Sequence, residues 1–378
     1  MSGKAVRRIC VLLGLLFVLA GCTLPQVSAE DRLFLDLSVD FLGEVILPAV
    51  DFEGTPIGGL SALTYDRNTD RFYALSDDRG GRAPARFYTL KVQLSTNGFG
   101  EVAVEGVTTL KNADGDPFPV RRLDPEGMAL TPQGTLMISS EGSPRDGAAP
   151  FIGQFDLEGQ LLTEYRIPER YLFDDGENGQ TQGVQENLGF EALTIPPGGN
   201  GYAEPFRLFV GMEGPLLQDL DENPEIPYKN RILHYLVGEY QSTLISEHWY
   251  PMDLSPLGAV SNGLSEIEAV DRNGHFLALE RAYGLQGLTV KLYQLATGGA
   301  SDTSAIASLR GDLSNLTPIQ KQMVLSLNDL PIEIDNLEGM ALGPNLPDRT
   351  RSLVLISDNN FSDRQKTQLL LFRLNGLP

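Results

Sequence analysis

Apolar and polar residues alternate in short runs along most of the chain, as in β-strands whose two faces differ in exposure. The runs come in pairs joined by tight turns; residues 123–142, for example, read as a strand, a turn at Pro132–Gly134 and a second strand. The 40 Gly and 24 Pro residues interrupt the chain too often for long helices. The pattern therefore predicts an all-β protein, with one short helix near residues 316–324.

Five of the hairpins resemble one another in sequence. They are GGLSALTYD with RFYALSDDRG, DPEGMALTP with TLMISSEG, GFEALTIPP with RLFVGMEGP, LSEIEAVDR with HFLALERAY, and NLEGMALGP with LVLISDNN. Alignment of the first strands places one residue of each hairpin in a common column, 65 to 77 residues apart: Ser61, Glu126, Glu191, Glu268 and Glu338. Two more alternating runs follow each hairpin, so each repeat has about four strands. Repeated four-stranded units predict a β-propeller, and the count predicts five blades.

The fifth repeat lacks its last strand, because the chain ends at Pro378 soon after the run QLLLFRL. Residues 39–49, VDFLGEVILPA, resemble the outer strand at 161–169, LLTEYRIPE. We therefore expect an N-terminal strand to close the last blade of a propeller domain that spans residues 39–378. A sixth blade, hidden within residues 214–262, is the alternative that the count leaves open.

The N-terminus has the features of an export signal. Basic residues precede an apolar run from Ile9 to Ala20, which is too short to span a membrane comfortably. The run ends in Leu-Ala-Gly-Cys, which resembles the lipobox of bacterial lipoproteins. This predicts a signal peptide at 1–21, an acylated Cys22, a tether at 22–38, and a protein lipid-anchored to a membrane of the cell envelope on its periplasmic or extracellular face. Cleavage after Ala29, without lipid attachment, is the alternative.

The composition limits the partners. The chain has 29 Lys and Arg residues against 50 Asp and Glu residues, a formal net charge of −21. This balance argues against a nucleic-acid surface and against any membrane contact other than the N-terminal lipid, and it favours small cations. Both cysteines, Cys10 and Cys22, fall in or directly after the predicted signal, so the domain can form neither a disulfide nor a thiolate metal site. The oligomeric state stays open.

Acidic residues recur at two places in the repeated hairpins. The start of an inner strand and the end of its antiparallel neighbour lie at the same rim of a propeller. Nine carboxylates should therefore converge at one mouth of the channel: Glu126, Glu191, Glu268 and Glu338 from the first strands, and Asp77, Glu141, Glu213, Glu280 and Asp358 from the second. Such a group must bind cations, pair with Arg or raise its pKa values. Oxygen ligands without Cys or grouped His favour Ca²⁺, with Mg²⁺ as the alternative, over zinc or copper, and the second-strand acids would hold the ion.

The phrases GGLSALTYD and YALSDDRG, the repeated EGMAL and EALT, and the closing LISDNNF resemble the phytase-like proteins described as having esterase-like activity. These form a secreted bacterial family distantly associated with β-propeller phytases. The resemblance spans residues 40–375 and implies a hydrolase of phosphate or other esters. The first-strand glutamates would then be catalytic, and Arg79 and Arg281 would bind a small ester or phosphoester substrate while a metal activates water.

Two other interpretations fit the same residues. The repeated acids could be structural, accepting backbone N–H groups between blades and pairing with Arg79 and Arg281. The protein could also be a non-catalytic propeller that binds a ligand or a protein at the cell envelope. A G-x-S-x-G motif, which would mark a serine esterase, does not occur in the sequence. The substrate class therefore cannot be narrowed further from the residues.

Overall fold

The computed structural model describes residues 33–174, 179–198, 204–239 and 241–377. The predicted signal peptide, Cys22 and most of the predicted tether lie outside the described residues. The part of the chain from Leu35 onward forms one compact unit. Within the described ranges, no helix is both long enough and apolar enough to cross a membrane.

The described residues form strands arranged in four-stranded antiparallel sheets, preceded by one strand and a small hairpin. The first strand is β1 (Ser38–Leu47), and the hairpin consists of β2 (Asp51–Phe52) and β3 (Thr55–Pro56). Blade 1 contains β4 (Leu60–Asp66), β5 (Arg71–Ser76), β6 (Arg86–Ser95) and β7 (Gly98–Thr109). Blade 2 contains β8 (Pro125–Leu130), β9 (Leu136–Ser140), β10 (Phe151–Phe155) and β11 (Leu161–Tyr165).

The remaining blades repeat this order. Blade 3 contains β12 (Phe190–Thr194), β13 (Phe206–Met212), β14 (Lys229–Val237) and β15 (Ser242–Pro251). Blade 4 contains β16 (Ala259–Ala269), β17 (His275–Gly284), β18 (Gly287–Ala296) and β19 (Gln320–Ser326). Blade 5 contains β20 (Leu337–Asn345), β21 (Arg351–Ser357) and β22 (Thr367–Asn375), with β1 as its fourth strand. Three single 3-10 turns, at Glu169–Tyr171, Leu217–Asp219 and Leu327–Asp329, complete the described elements.

The five-bladed propeller and its N-terminal closure are confirmed. Strand β1 pairs antiparallel with β22 from Ser38 opposite Asn375 to Leu47 opposite Thr367. Residues 214–262 do not form a sixth blade: they supply two strands of blade 3, its connections and the start of β16. The propeller therefore closes by joining the two ends of the domain in one sheet.

The helix expected near residues 316–324 is wrong. Residues 320–326 form β19, whose Met323 lies opposite Tyr293 in β18. Ile319 is fully buried in the cluster between blades 3 and 4. Pairing with an existing sheet edge and burial of one apolar side chain outweigh the weak helical preference of this short segment.

The core consists of five apolar clusters, each between two neighbouring blades. The second strands have both faces covered, which explains why runs such as Phe72–Ser76 are buried at every residue. The inner strands β4, β8, β12, β16 and β20 contact one another in order around the channel. Residues at the start of each inner strand therefore face a common centre, at the end of the channel that we call the acid rim.

Candidate functional site

Every inner strand has a β-bulge at the acid rim, and the bulged residues form the first row of side chains there; in the longer strand β16 the bulge lies past the middle of the strand. The register shifts lie between Leu60 and Ala62, Pro125 and Met128, Phe190 and Ala192, Leu264 and Glu266, and Leu337 and Gly339. A bulge leaves a residue without a partner across the ladder and redirects its side chain. The equivalent residues of the five blades are Ser61, Glu126, Glu191, Ser265 and Glu338.

The expected place of Glu268 in this row is therefore wrong. The sequence alignment matched Glu268-Ala269 to Glu191-Ala192, but the bulge of the longer strand β16 lies at Ser265. Gly263-Leu264-Ser265 repeats Gly59-Leu60-Ser61 of blade 1, and this shared phrase is the signal that would have found the correct residue. Blades 1 and 4 thus carry serine in the first row, and only blades 2, 3 and 5 carry glutamate.

In each blade, the inner-strand residue just before the bulge pairs with a residue of the second strand. The residue that comes directly after this partner belongs to the second row of the acid rim. Leu60, Pro125, Phe190, Leu264 and Leu337 pair with Ser76, Ser140, Met212, Glu280 and Ser357. The next residues are Asp77, Glu141, Glu213, Arg281 and Asp358. In blade 4 the position that we expected Glu280 to fill is therefore held by Arg281.

Glu280 lies apart from the rim acids and is bound to other groups. Its carboxylate accepts a hydrogen bond of 2.6 Å from the hydroxyl of Tyr250 and one of 3.1 Å from the backbone N–H of Asp253. It also forms an ion pair with Lys321. These contacts give Glu280 a structural place between blades 3 and 4, and they leave the metal-binding role expected for it without geometric support.

Close packing against backbone holds the second-row acids in place. At Gly59, with φ of +61°, a Cβ atom would meet Oδ1 of Asp77 at 2.1 Å. At Gly263, a Cβ atom would meet Cγ of Glu213 at 2.4 Å. Side chains at these two positions would displace the carboxylates, so the glycines are requirements of the site.

The acid cluster contains eight carboxylates: Asp77, Asp124, Glu126, Glu141, Glu191, Glu213, Glu338 and Asp358. Asp124 was missed from the sequence because it lies two residues before a glutamate that already explained the motif. Asn336 occupies the same place before Glu338, so the phrases Asp124-Pro-Glu126 and Asn336-Leu-Glu338 were a usable signal. Apart from Asp77 and Glu126, which are partly exposed, these side chains are buried.

Two groups of three acids within the cluster have ligand geometry. The carboxylate oxygens of Asp124, Glu126 and Glu141 lie within 4.8 Å of one another, as do those of Glu141, Glu191 and Glu213. Glu141 belongs to both groups. Asp124 is 4% exposed, and its buried Oδ1 has no hydrogen-bond partner among the described residues. The other oxygen, Oδ2, lies 2.7 Å from the guanidinium of Arg79. A buried carboxylate oxygen that lacks a hydrogen-bond donor and lies in a group of carboxyls is in an environment that a bound cation relieves.

Burial and mutual repulsion raise the pKa values throughout the cluster. Burial first, and then the charge of Glu338, raises the pKa of Asp77 to about 8. Burial raises the pKa of Glu213 to about 7. For Glu126, Glu141, Glu191 and Asp358, burial followed by the charge of a neighbouring acid raises the pKa well above its usual range. The metal-free cluster therefore retains protons at neutral pH.

Two arginines lie among these acids, and they differ in their accessibility. Arg79 is 2.7 Å from Asp124 and 3.7 Å from Glu141, and its side chain is 29% exposed. Arg281 is 3.1 Å from both Glu213 and Glu338, and its side chain is 14% exposed. Arg281 is thus a counter-ion within the cluster, whereas Arg79 can be reached from solvent.

Glu268 lies at the other end of the channel, which we call the opposite rim. Its carboxylate accepts 3.0 Å hydrogen bonds from the hydroxyl of Thr194 and the backbone N–H of Leu342. Glu266, two residues earlier, is buried within the channel and accepts the N–H of Leu193 at 3.2 Å. The two glutamates of β16 therefore accept hydrogen bonds from other inner strands and lie outside the acid cluster.

A family model described as "Phytase-like: Esterase-like activity of phytase" matches residues 55–361. No curated protein matches the chain. Among solved structures, an endo-arabinase from Bacteroides thetaiotaomicron is 9% identical with a TM-score of 0.42, over 83% of this chain and 93% of that one. A structure from the GH130 family of mannoside phosphorylases is 11% identical with a TM-score of 0.41, over 83% and 84%. The N-terminal domain of Nup159 is 12% identical with a TM-score of 0.33, over 90% and 96%.

Proposed function

The chain belongs to the phytase-like family, and from that premise we propose that it is a metal-assisted hydrolase of phosphate or other esters, with its site at the acid rim. The observation that supports this most directly is the position of Asp124. Its Oδ1 is buried without a hydrogen-bond partner among the described residues, next to the carboxyls of Glu126 and Glu141. Arg79 pairs with the other oxygen, Oδ2, at 2.7 Å, so Oδ1 is the oxygen of Asp124 that remains for a cation.

The donor set fits Ca²⁺. Asp124, Glu126, Glu141, Glu191 and Glu213 offer only carboxylate oxygens, which are hard ligands, and the two groups share Glu141. We infer that these five residues would hold calcium, with Glu141 as the residue common to both groups of three. Both groups exclude three residues that the sequence suggested as metal ligands or catalytic residues: Asp77, Glu338 and Asp358. We do not assign these three residues as calcium ligands.

When bound, calcium would supply positive charge to the oxygens of the ester and would activate a water molecule for attack. Arg79, the more exposed arginine, would bind an anionic oxygen of the substrate through its guanidinium. Asp77 is partly exposed, and in the metal-free protein burial and the charge of Glu338 raise its pKa to about 8. In its protonated form its carboxyl would donate a proton to the leaving group. Arg281 would hold Glu213 and Glu338 in place.

A substrate screen with two glutamine variants tests this proposal. We expect the purified protein to hydrolyse one class among p-nitrophenyl phosphate, bis-p-nitrophenyl phosphate and p-nitrophenyl butyrate with Ca²⁺ present, and to lose the activity in EDTA. Glu141→Gln should abolish both the activity and the calcium binding, because it removes the carboxylate shared by both groups. Glu101→Gln, an exposed glutamate in β7, is the matched control and should change neither.

Two outcomes would redirect the proposal. Calorimetry that shows no calcium binding at millimolar concentration would defeat the metal site. Calcium binding without hydrolysis of any ester class would favour the non-catalytic alternative, a propeller that binds a ligand or protein at the cell envelope.

We also propose that the protein is exported and lipid-anchored through Cys22. The support is the basic start, the apolar run and the Leu-Ala-Gly-Cys ending of the N-terminal sequence. In a bacterial host, Cys22→Ser should move the protein from the membrane fraction or leave it unprocessed, whereas the control Cys10→Ser should be processed normally. Unchanged fractionation of Cys22→Ser would favour cleavage after Ala29.

A further inference from the structure

A cavity of about 310 Å³ opens at the opposite rim of the channel, away from the acid cluster. Residues at or near the ends of all five inner strands line it, so it is the second mouth of the propeller channel. The polar side chains that matter are those of Thr64, Arg67, Thr194, Glu268 and Arg351. The volume is at the lower end of the range typical of small-molecule sites.

Two arginines, Arg67 and Arg351, line this cavity together with the carboxyls of Asp66 and Glu268. Arg351 donates to the carbonyl of Gly343 at 3.2 Å and to Oδ1 of Asn345 at 3.4 Å. Within the described ranges, neither Arg67 nor Arg351 has a carboxylate within ion-pair distance. Burial, and then the charge of Arg67, lowers the pKa of Arg351. The charge of Glu268 has the opposite effect on the pKa of Arg351. Because neither guanidinium forms an ion pair with a carboxylate among the described residues, both have N–H donors for a bound anion.

Two acids near Arg67, Asp66 and Asp70, accept hydrogen bonds from neighbouring residues. Asp66 accepts the N–H of Asn68 and the hydroxyl of Thr69, both at 2.8 Å, and Asp70 accepts the hydroxyl of Tyr65 at 2.8 Å. The hydroxyl oxygen of Thr64 accepts the N–H of Leu130 at 3.2 Å, which leaves its own hydrogen free to donate into the cavity. The lining therefore offers the guanidinium groups of Arg67 and Arg351 and the hydroxyl of Thr64 as donors, beside the carboxyls of Asp66 and Glu268.

We propose that the cavity at the opposite rim binds a small phosphate-type oxyanion, held by Arg67 and Arg351 with the hydroxyl of Thr64 as a further donor. Guanidinium groups bind such anions through pairs of N–H donors. This site is separate from the acid rim, where the carboxylates would repel an anion unless a metal were bound. The proposed site also includes Glu268, a residue without a role in the proposed hydrolase chemistry.

Glu268 sets the pH dependence of this site. Burial raises its pKa to about 7, against the opposing effects of the Leu342 N–H, the Thr194 hydroxyl and the charge of Arg351. The other acid that faces it is Glu266, whose pKa is also raised by burial. Below pH 7 the neutral carboxyl does not repel an anion, and above pH 7 the carboxylate does. Anion binding should therefore weaken between pH 6 and pH 8.

The test is calorimetric titration of the purified protein with inorganic phosphate in EDTA, which removes any metal-dependent binding at the acid rim. We expect one anion per chain. Arg67→Gln and Arg351→Gln should each weaken binding by about tenfold or more, the usual effect of losing a charged hydrogen bond. Arg349→Gln removes an exposed charge from the same β20–β21 turn outside the cavity lining, and Glu141→Gln alters only the acid rim; neither should change the affinity.

Arg67 is exposed and has no hydrogen bond or ion pair among the described residues, so its variant is expected to fold normally and keeps the test decisive if Arg351→Gln does not fold. No phosphate binding at millimolar concentration, or binding that neither arginine variant weakens, would overturn the proposal. Inorganic sulfate, which stays doubly charged between pH 6 and pH 8, gives the second readout. Its binding should weaken with pH in the wild type, and Glu268→Gln should lose that dependence; a flat wild-type profile would contradict the role of Glu268.

Discussion

The guanidinium of Arg281 lies 3.1 Å from the carboxylate of Glu338, and it stands where the other four blades carry an acid at the end of the second strand. It lies at the same distance from Glu213. One blade thus supplies a cation to the carboxylates of its two neighbours. Among the described residues, the cation paired with the group formed by Asp124, Glu126 and Glu141 is Arg79, which is partly exposed.

Replacing Arg281 should destabilise the protein strongly. Arg281→Gln leaves Glu213 and Glu338 buried without a cation, and loss of one partner from a buried ion pair costs about 3–5 kcal/mol. We expect a decrease of that size in the free energy of unfolding, measured by urea denaturation in EDTA at pH 8. The loss should shrink at pH 5, because protonation of the acids then relieves the missing charge.

The matched control is Arg71→Gln. Arg71 pairs with Glu105 at 2.5 Å on the surface, with side-chain exposures of 26% and 36%. Surface pairs of this kind contribute less than about 1 kcal/mol. Equal effects of the two substitutions would contradict the buried role of Arg281.

The metal-free protein should lose stability as pH rises. The pKa of Asp77 is raised from 3.8 to about 8, and that of Glu213 from 4.5 to about 7. A raised carboxyl pKa means that the folded state binds protons more tightly than the unfolded state, so stability falls as pH rises through the folded pKa. His234, whose pKa burial lowers from 6.5 to about 4, acts in the opposite direction only at more acidic pH.

Thermal melting in EDTA should therefore show a Tm that decreases from pH 6.5 to pH 8.5. Calcium should restore the Tm most at the upper end, because it binds the ionised acids of the native state. A Tm in EDTA that rises over this range would show that the cluster acids are already compensated in the metal-free protein.

Glutamates at the two ends of the channel should separate in their effect on calcium. Glu191→Gln removes a ligand from one of the two acid groups, so it should reduce the calcium-dependent increase in Tm. Glu268→Gln changes a carboxyl at the opposite rim and should leave that increase intact. Both variants keep the side-chain size and an acceptor oxygen. Loss of the calcium effect in Glu268→Gln would support the position in the first row that the sequence alignment assigned to it.

The closing strand gives a test of the fold. A chain that begins at Val50 lacks β1 and leaves the ladder edge of β22, including the buried Leu369 and Leu371, without its neighbour. Its Tm should fall well below that of a chain that begins at Leu35, which keeps β1 and serves as the control. Identical melting of the two chains would show that the fourth strand of blade 5 does not contribute to stability.

The all-β class, the count of five blades and the closure by β1 could all be predicted from the sequence. Each depends on local patterns that repeat: alternating runs, turns rich in Gly and Pro, and hairpins that resemble one another. The need for a fourth strand in blade 5 follows from the same count. The prediction of these features is not affected by small errors in the sequence alignment, because a strand is still predicted when its register is shifted by one residue.

Such errors did change the predicted set of residues at the acid rim. A bulge inserts one residue into one strand, and a shift of one residue moves a side chain to the other face of the sheet. This is why Arg281 holds the position that sequence similarity gave to Glu280, one residue earlier. Ser265 lies three residues before Glu268, because the alignment matched Glu268-Ala269 to Glu191-Ala192 and did not match Ser265 to Ser61. The extra length of β16 also carries Glu268 to the opposite rim.

The sequence also could not predict which acids form the two groups of three. Glu141 joins two groups because blades 2 and 3, whose first-row glutamates are 65 residues apart in the chain, bring their rims together. The unpartnered oxygen of Asp124 and the unpaired arginines at the opposite rim are properties of what surrounds a side chain. The sequence determined which strands form and in what order the blades follow, since those depend on neighbours along the chain; only the tertiary structure decided which charges meet, because that depends on distances between blades.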